Sequence, residues 1–338
     1  MWPLKIDQIK RLQLEITTFC NAKCPSCERA KYNVLPEFIY KKQLNSIEVS
    51  LEQIKKWIPL DKMKSLMHIH LCGNIDEPTL NTEIFEICKY FEDTCKEHVW
   101  IHISTNGGTR NREFWKKMAS LKRTLIIFGI DGLEDTNHIY RKNVRWKKLQ
   151  NNFRTYIKHG GTASWQFIRF EHNKHQEEEA RTMSQNEGFV TFNTVYSSRE
   201  NYEVEGVKKE RESNSGVKCK ATYFNYELEE SFFVDVRGNV WPCCWMATND
   251  VINYQIVPKV GDSFGHFLSH NLNYESFENI ITGDMFSHLW KNLHNFEVCN
   301  QHCKENVSDT FEWEIQKKWM TESQIKYYSS VAGTEENA

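Results

Sequence analysis

Short apolar runs alternate with segments of amphipathic, helix-like spacing through the first half of the chain and somewhat beyond. Runs of strand character lie at 12–17, 66–71, 99–104, 124–130, 163–169 and 189–194. Between them the 3.6-residue spacing predicts helices at 51–58, 82–95, 112–120, 146–159 and 177–186. Alternation of strand and helix predicts an α/β fold with a parallel sheet clothed by helices. That order alone does not separate a curved barrel from an open doubly wound sheet.

The pattern changes after residue 196. A polar stretch rich in Glu, Lys, Ser and Asn, 197–218, reads as a connector or as an ordered loop over the site. Residues 232–242 then read as strand, turn and strand, with Arg237-Gly238-Asn239 at the turn. Residues 309–328 carry Phe311, Ile315, Trp319 and Ile325 at helical spacing, and 331–338 reads as a flexible tail. The predicted organisation is 1–196 for the strand–helix domain, 197–218 for the connector, 219–308 for a second small domain, and 309–338 for a helix and tail.

Composition narrows the function classes. The chain has 338 residues, 26% charged, with a formal net charge of −2, so no global basic field advertises nucleic acid or an anionic membrane. No apolar run is long enough to cross a bilayer, and Met1-Trp2-Pro3-Leu4-Lys5 lacks the basic-then-apolar order of a secretory signal, so a cytoplasmic location is expected. Eleven cysteines in such a compartment suggest ligands more readily than disulfides. Cys88 and Cys95, seven apart in a helical pattern, read as ordinary half-buried thiols.

Directly after the first strand comes Cys20-Asn21-Ala22-Lys23-Cys24-Pro25-Ser26-Cys27. Three thiolates so placed hold three irons of a [4Fe-4S] cluster and leave the fourth iron open to a ligand. The C-x3-C-x2-C spacing resembles that of the radical S-adenosylmethionine (radical SAM) enzymes. The resemblance implies a partial (β/α)6, TIM-like barrel with the cluster loop after strand one. It also implies that the open iron chelates SAM, that an electron cleaves SAM to a 5'-deoxyadenosyl radical, and that this radical abstracts hydrogen from a substrate. A flavodoxin- or ferredoxin-type reducing partner is implied as well.

In such folds chemistry gathers at the C-terminal ends of strands. After strand two, Cys72-Gly73-Asn74-Ile75-Asp76-Glu77-Pro78 resembles the family's "GGEP" segment, which places Gly73 and Glu77 at the amino group of SAM; Asp76 stands where the family has glycine. After strand three, Ser104-Thr105-Asn106-Gly107-Gly108 resembles the "TNG" turn, whose hydroxyls and carboxamide would meet the carboxylate or ribose of SAM. After strand four, Asp131-Gly132 resembles "S-x-D-G", with Gly129 in place of serine, and Arg141 matches an arginine that neutralises a carboxylate or shapes the pocket mouth. After strand five, Arg169 and Asn173 are candidates to touch SAM or substrate, and His172 and His175 to handle a proton. Ser26 replaces the aromatic that commonly precedes the third cysteine, leaving Phe19 or Phe170 to cover adenine.

The second cysteine group flanks the 232–242 hairpin and a later helix-rich stretch. Its members Cys219, Cys243, Cys299 and Cys303 resemble the ligand set of a "twitch" auxiliary domain, a shortened SPASM domain, which implies one auxiliary [4Fe-4S] cluster. Cys244 is an alternative to Cys243, and four thiolates suit zinc equally well. An auxiliary cluster favours a net oxidation. With only about ten residues before the first strand and so no leader-binding domain, a small polar or nucleotide-like substrate is slightly favoured. The alternatives are a peptide- or protein-modifying enzyme that cross-links or epimerises, with Cys72 as hydrogen donor, and a non-catalytic metal-stabilised binding protein.

Overall fold

The structure, a computed structural model, describes residues 5–30, 45–196, 223–224, 227–228, 231–247, 270–291, 296 and 299. The connector 197–218, Cys219, Cys303 and the 309–338 segment lie outside the described residues.

Among the described residues up to 196, strands are separated by helices, two of them between the fourth and fifth strands. The strands are β1 (Arg11–Leu14), β2 (His68–Leu71), β3 (Trp100–Thr105), β4 (Thr124–Gly129), β5 (Thr162–Arg169) and β6 (Thr191–Tyr196). The helices are α1 (Leu51–Trp57), α2 (Ile84–Thr94), α3 (Arg112–Met118), the short α4 (Asn137–Tyr140), α5 (Trp146–Lys158) and α6 (Glu177–Asn186). Each helix start has a local cause where a cap is formed. Ser50 and Gln53 cap α1 reciprocally, and the Asn111 side chain accepts from the Phe114 N–H at the start of α3.

Neighbouring strands from β1 to β6 all pair in parallel, and the register sorts their side chains into two faces. Leu12, Ile69 and Ile101 form one row across β1–β3 and are essentially unexposed in the main core. Gln13, His70 and His102 form the adjacent row on the opposite face. Helix and sheet are joined by an aromatic core in which Trp115, Phe128, Phe153, Tyr156 and Trp165 are fully buried, with Trp115 and Phe128 centroids 5.4 Å apart. Burial of each such ring contributes about 1.5–3 kcal/mol.

The 12–17 run does not stay in one strand. Beyond Leu14 the Glu15 N–H donates to Val234 O at 2.9 Å, and Ile16 O accepts the Val49 N–H at 2.9 Å, so the chain leaves β1 to pair with two other segments.

After residue 196 come a separate two-stranded ribbon, β7 (Tyr223–Phe224) with β8 (Glu227–Leu228), then β9 (Ser231–Val234), β10 (Val240–Trp241), α7 (Phe277–Thr282) and α8 (Asp284–Lys291). The β9–β10 hairpin forms as its sequence predicts, with Gly238 at φ +87° in the turn. Asp235 organises that turn, accepting from the Arg237 and Asn239 N–H groups at 2.8 and 3.1 Å and from Trp241 Nε1 at 3.1 Å. The hairpin is continuous with the main sheet, because β9 pairs in parallel with β1, Gln13 opposite Phe233. The resulting order is β10-β9-β1-β2-β3-β4-β5-β6, an α/β sheet that resembles a partial TIM barrel and is not closed.

Candidate active site

The cysteine loop lies at the C-terminal end of β1 and is tied to three other strand-end loops. The Lys23 N–H donates to Lys142 O at 3.0 Å, Asn106 Nδ2 to Asn21 Oδ1 at 2.8 Å, and the Glu77 N–H to Phe19 O at 2.8 Å. Arg29, two residues past the third cysteine, braces the loop from beneath. Its Nη1 donates to Thr18 O at 2.6 Å and Ile75 O at 2.9 Å, and its Nη2 to Asn45 Oδ1 at 2.6 Å. The same Asn45 oxygen accepts the Cys20 N–H at 3.2 Å.

Cys24 is buried, and Cys20 and Cys27 are half-buried beside it. Burial pushes the Cys20 and Cys24 thiols up, and the neighbouring Cys27 pushes both in the same direction. Cys27 thus acts on both other thiols, and buried thiols of this kind suit a polycationic centre that binds thiolates and displaces their protons. The donor set therefore fits an iron-sulfur cluster, and every described cysteine is free of disulfides.

Glu77 sits next to this loop, 2% exposed, at the head of the turn after β2. Its Oε1 accepts the Thr79 and Thr105 hydroxyls at 2.6 and 2.5 Å, and its Oε2 accepts the Asn106 N–H at 2.7 Å. Burial raises its pKa and these donors oppose the rise. The predicted "GGEP" and "TNG" segments thus meet in one network. Ser104 is separate from it: its Oγ lies 2.9 Å from His70 Nε2, on the sheet face that carries the polar row. Gly73 has no room for a side chain, since a Cβ there would lie 2.2 Å from Glu15 Cγ. Asn152 of α5, which no sequence signal marks, holds the turn from behind by donating to Gly107 O and Thr109 O, each at 2.7 Å.

A second network closes the site beyond β4 and β5. Arg141 Nε donates to Asp131 Oδ2 at 2.6 Å, and Asp131 Oδ1 accepts the Ile168 N–H at 2.7 Å. Asn173 is fully buried and structural in its contacts: Nδ2 donates to Asp131 O and Ile168 O at 3.0 and 2.9 Å, and Oδ1 accepts the Phe170 N–H at 2.7 Å. Phe170 is buried against Tyr140, ring centroids 4.4 Å apart, and His172 stacks over it at 5.4 Å. Arg169 pairs with Glu177 at 3.5 Å. His175 is exposed.

Cys72, at the end of β2, is half-buried, and burial with the nearby Asp76 pushes its thiol up to about 12. Gln13 Nε2 donates to Cys72 O at 2.6 Å, and the Gln13 side chain also hydrogen-bonds the Cys244 thiol, which burial pushes up to about 11. Cys299 is buried in a small second core with Phe233, Trp241, Met246, Leu289 and Phe296, and Cys243 and Cys244 both pack against it.

Residues 14–170 match the radical SAM superfamily. No curated protein matches the chain by sequence. Among solved structures the chain is similar to SuiB from Streptococcus suis bound to its precursor peptide SuiA, with a TM-score of 0.62 at 12% identity over 86% of this chain and 68% of that one. It is also similar to anSMEcpe with bound AdoMet and a Cp18Cys peptide, with a TM-score of 0.52 at 14% identity over 96% and 98% of the two chains. Among the described residues no helix is long and apolar enough to cross a membrane. The cysteine loop and the strand-end turns it is bonded to thus fall within residues 14–170, the stretch over which this chain carries a radical SAM domain.

Proposed function

We propose that this chain cleaves SAM reductively at a [4Fe-4S] cluster held by Cys20, Cys24 and Cys27 and abstracts hydrogen from a substrate in a net oxidation. The observation that carries the reading is the loop of Cys20, Cys24 and Cys27 beyond the C-terminal end of β1, tied by hydrogen bonds to the turns after β2, β3 and β4. Bound there, a cluster with one open iron supplies both the site for SAM and the electron that generates the 5'-deoxyadenosyl radical. Glu77 orders the Asn106 turn and offers a carboxylate to the amino group of SAM, in the same segment as Gly73, whose missing side chain makes room for Glu15. Thr105 and Asn106 present hydrogen-bonding groups beside it. The polar row Gln13, His70 and His102, with Ser104 near its end, favours a small polar or nucleotide-like substrate over an apolar one.

Cys219, Cys243, Cys299 and Cys303 are proposed to hold one auxiliary [4Fe-4S] cluster, which supplies an acceptor for the electron left on the substrate. Cys243 and Cys244 both pack against the small core that holds Cys299, so Cys243 is kept as the ligand with Cys244, which also meets the Gln13 side chain, as its alternative. A flavodoxin- or ferredoxin-type donor would provide the reducing electron. The second reading is a peptide- or protein-modifying enzyme, favoured by the peptides bound in the SuiB and anSMEcpe structures.

Anaerobic reconstitution with iron and sulfide tests the proposal. About eight irons per chain are expected, falling to about four in a Cys20/Cys24/Cys27 triple alanine variant, with loss of dithionite-driven 5'-deoxyadenosine formation. Cleavage that survives in the triple variant, or no iron-dependent cleavage in the wild type, overturns the reading. Zinc in place of four of the irons overturns the auxiliary cluster alone.

A further inference from the structure

Residues 136–170 contain no Asp or Glu and eight Lys or Arg, in a chain whose formal net charge is −2. The densest part runs from Arg141 to Lys148, between α4 and the first turn of α5, and it is seated against the cysteine loop. The Lys23 N–H donates to Lys142 O at 3.0 Å. Val144, 3% exposed, packs beside the same loop: a Cβ at Gly108 would lie 3.0 Å from Val144 Cγ1 and 3.2 Å from Asn21 Nδ2. Asn143, at φ +70°, carries the backbone through the left-handed region between Lys142 and Val144. With Val144 as the buried peg, Lys142, Arg145 and Lys147 are exposed, as is Lys23 on the cysteine loop, and Trp146 is half-buried among them.

A run of cations is ordinarily a solvated face whose charges are neutralised locally, and elsewhere on this surface that is so. Lys55 pairs with Glu52 at 2.9 Å, and Lys116 and Lys117 pair with Glu113 and Glu86 at 2.8 Å. Among the described residues, Lys23, Lys142, Arg145 and Lys147 form no ion pair. Exposed cations left without counter-charges attract an anionic partner and speed its encounter. Trp and Arg are also the side chains that most often anchor a protein interface.

We propose that the face formed by Lys23, Lys142, Arg145, Trp146 and Lys147 docks an acidic one-electron donor protein, which reduces the cluster held by the adjoining cysteines. Lys23 stands between Cys20 and Cys24, so a partner on this face meets the ligand loop itself. An electron donor requires that placement, whereas an acidic peptide or a nucleic acid does not. One electron leaves the donor's flavin or iron-sulfur carrier and enters the cluster, and no covalent bond forms or breaks between the two proteins. The inference rests on the cluster reading above, but not on any substrate.

Comparing two reductants is the test, because dithionite needs no docking face and a reduced flavodoxin does. The anaerobically reconstituted full chain is assayed for 5'-deoxyadenosine formation with each. In an Arg145→Glu/Lys147→Glu variant the flavodoxin-driven rate is expected to fall about tenfold or more at low salt, within the range of electrostatic steering, while the dithionite-driven rate stays within about twofold of wild type. At about 1 M salt, where charges are screened beyond about 3 Å, wild type and variant are expected to converge. A Lys55→Glu/Lys56→Glu control makes the same change in net charge on α1 and is expected to keep both rates. An unchanged flavodoxin-driven rate in the Arg145/Lys147 variant, or an equal loss in the α1 control, overturns the proposal. Should the reversed variant lose its dithionite-driven rate as well, Arg145→Gln/Lys147→Gln decides: it must keep the dithionite rate and still lose part of the flavodoxin-driven one, and failure to do so sinks the idea. Binding of a short single-stranded DNA that the reversal abolishes, with flavodoxin-driven cleavage untouched, would give the face to nucleic acid instead. Absence of dithionite-driven cleavage in the wild type is a different outcome, which overturns the cluster reading and this inference with it.

Discussion

Glu77 Oε2 accepts the Asn106 N–H at 2.7 Å, so the turn after β2 and the turn after β3 share one buried carboxylate. Gln at this position preserves shape but turns an N–H2 toward donors that now lack an acceptor. A buried donor left without its partner costs about 1–3 kcal/mol. Glu77→Gln is expected to lose stability of that order in denaturant unfolding. In the reconstituted protein it is also expected to weaken SAM binding by about tenfold or more, the equivalent of one charge-assisted hydrogen bond. Unchanged SAM affinity would remove Glu77 from the proposed binding set.

Glu15 gives the fold a pH dependence of definite sign. It is 5% exposed and accepts the Asn74 and Ile75 N–H groups at 2.8 and 3.1 Å. Burial, reinforced by the charge of Asp235, raises its pKa from 4.5 to about 7, while Arg237 pulls the other way. Between those values the folded state holds a proton that the unfolded state has released, so stability falls as pH rises through the window. Glu15→Gln keeps the acceptor for both N–H groups and removes the titration. The variant is expected to be more stable than wild type above pH 7, by an amount on the order of 3 kcal/mol at most. Its stability should also depend less on pH between 4.5 and 7, as read from unfolding curves across that range. A slope identical to wild type would place the titration elsewhere.

The strand–helix order was legible because each strand buries one apolar row against helices, as Leu12, Ile69 and Ile101 do, and each helix carries one apolar stripe. The cysteine loop was legible because its ligand spacing is local. Three features were not. The pairing of β9 with β1 joins segments more than two hundred residues apart, and a hairpin pattern reports alternation without naming the strand it will sit beside. Arg29 and Asn152 act on backbone carbonyls brought to them by other loops, and nothing in their own neighbourhoods signals this. The meeting of Gln13 with Cys244 likewise joins β1 to the segment after β10, and neither residue's own neighbourhood announces it. Gly129 was visible as a departure from the family segment, but its reason, the Arg141 guanidinium, lies in three dimensions.

Asn152 tests whether the turn after β3 is built by its own residues or from behind. Its amide is 3% exposed and donates to two carbonyls, one on each side of Gly108. Asn152→Ala leaves both carbonyls without their donor in a site too enclosed for easy hydration, at a cost of about 1–3 kcal/mol. Iron content should stay at the wild-type value, because Asn152 touches none of the cysteines, while SAM affinity falls with the loosened turn. Loss of iron together with SAM binding would show that the cysteine loop depends on this turn more than its single Asn106–Asn21 bond suggests.

Cys72 separates the oxidative reading from an epimerising one. It lies at the end of β2, half-buried, and its raised pKa keeps it a thiol with a hydrogen atom to give. An epimerase needs such a donor to quench the substrate radical, and the hydrogen it returns comes from solvent by exchange at sulfur. A net oxidation ends instead with loss of an electron and a proton, so no hydrogen is returned. The proposed oxidation therefore predicts that product formed in deuterated water carries no deuterium at the abstracted position. It also predicts that Cys72→Ala retains SAM cleavage and product formation within about twofold of wild type, the small effect expected of a substitution outside the reacting groups. Deuterium in the product, lost together with turnover in Cys72→Ala while SAM cleavage persists, would instead assign Cys72 the donor role and replace the oxidation by an epimerisation.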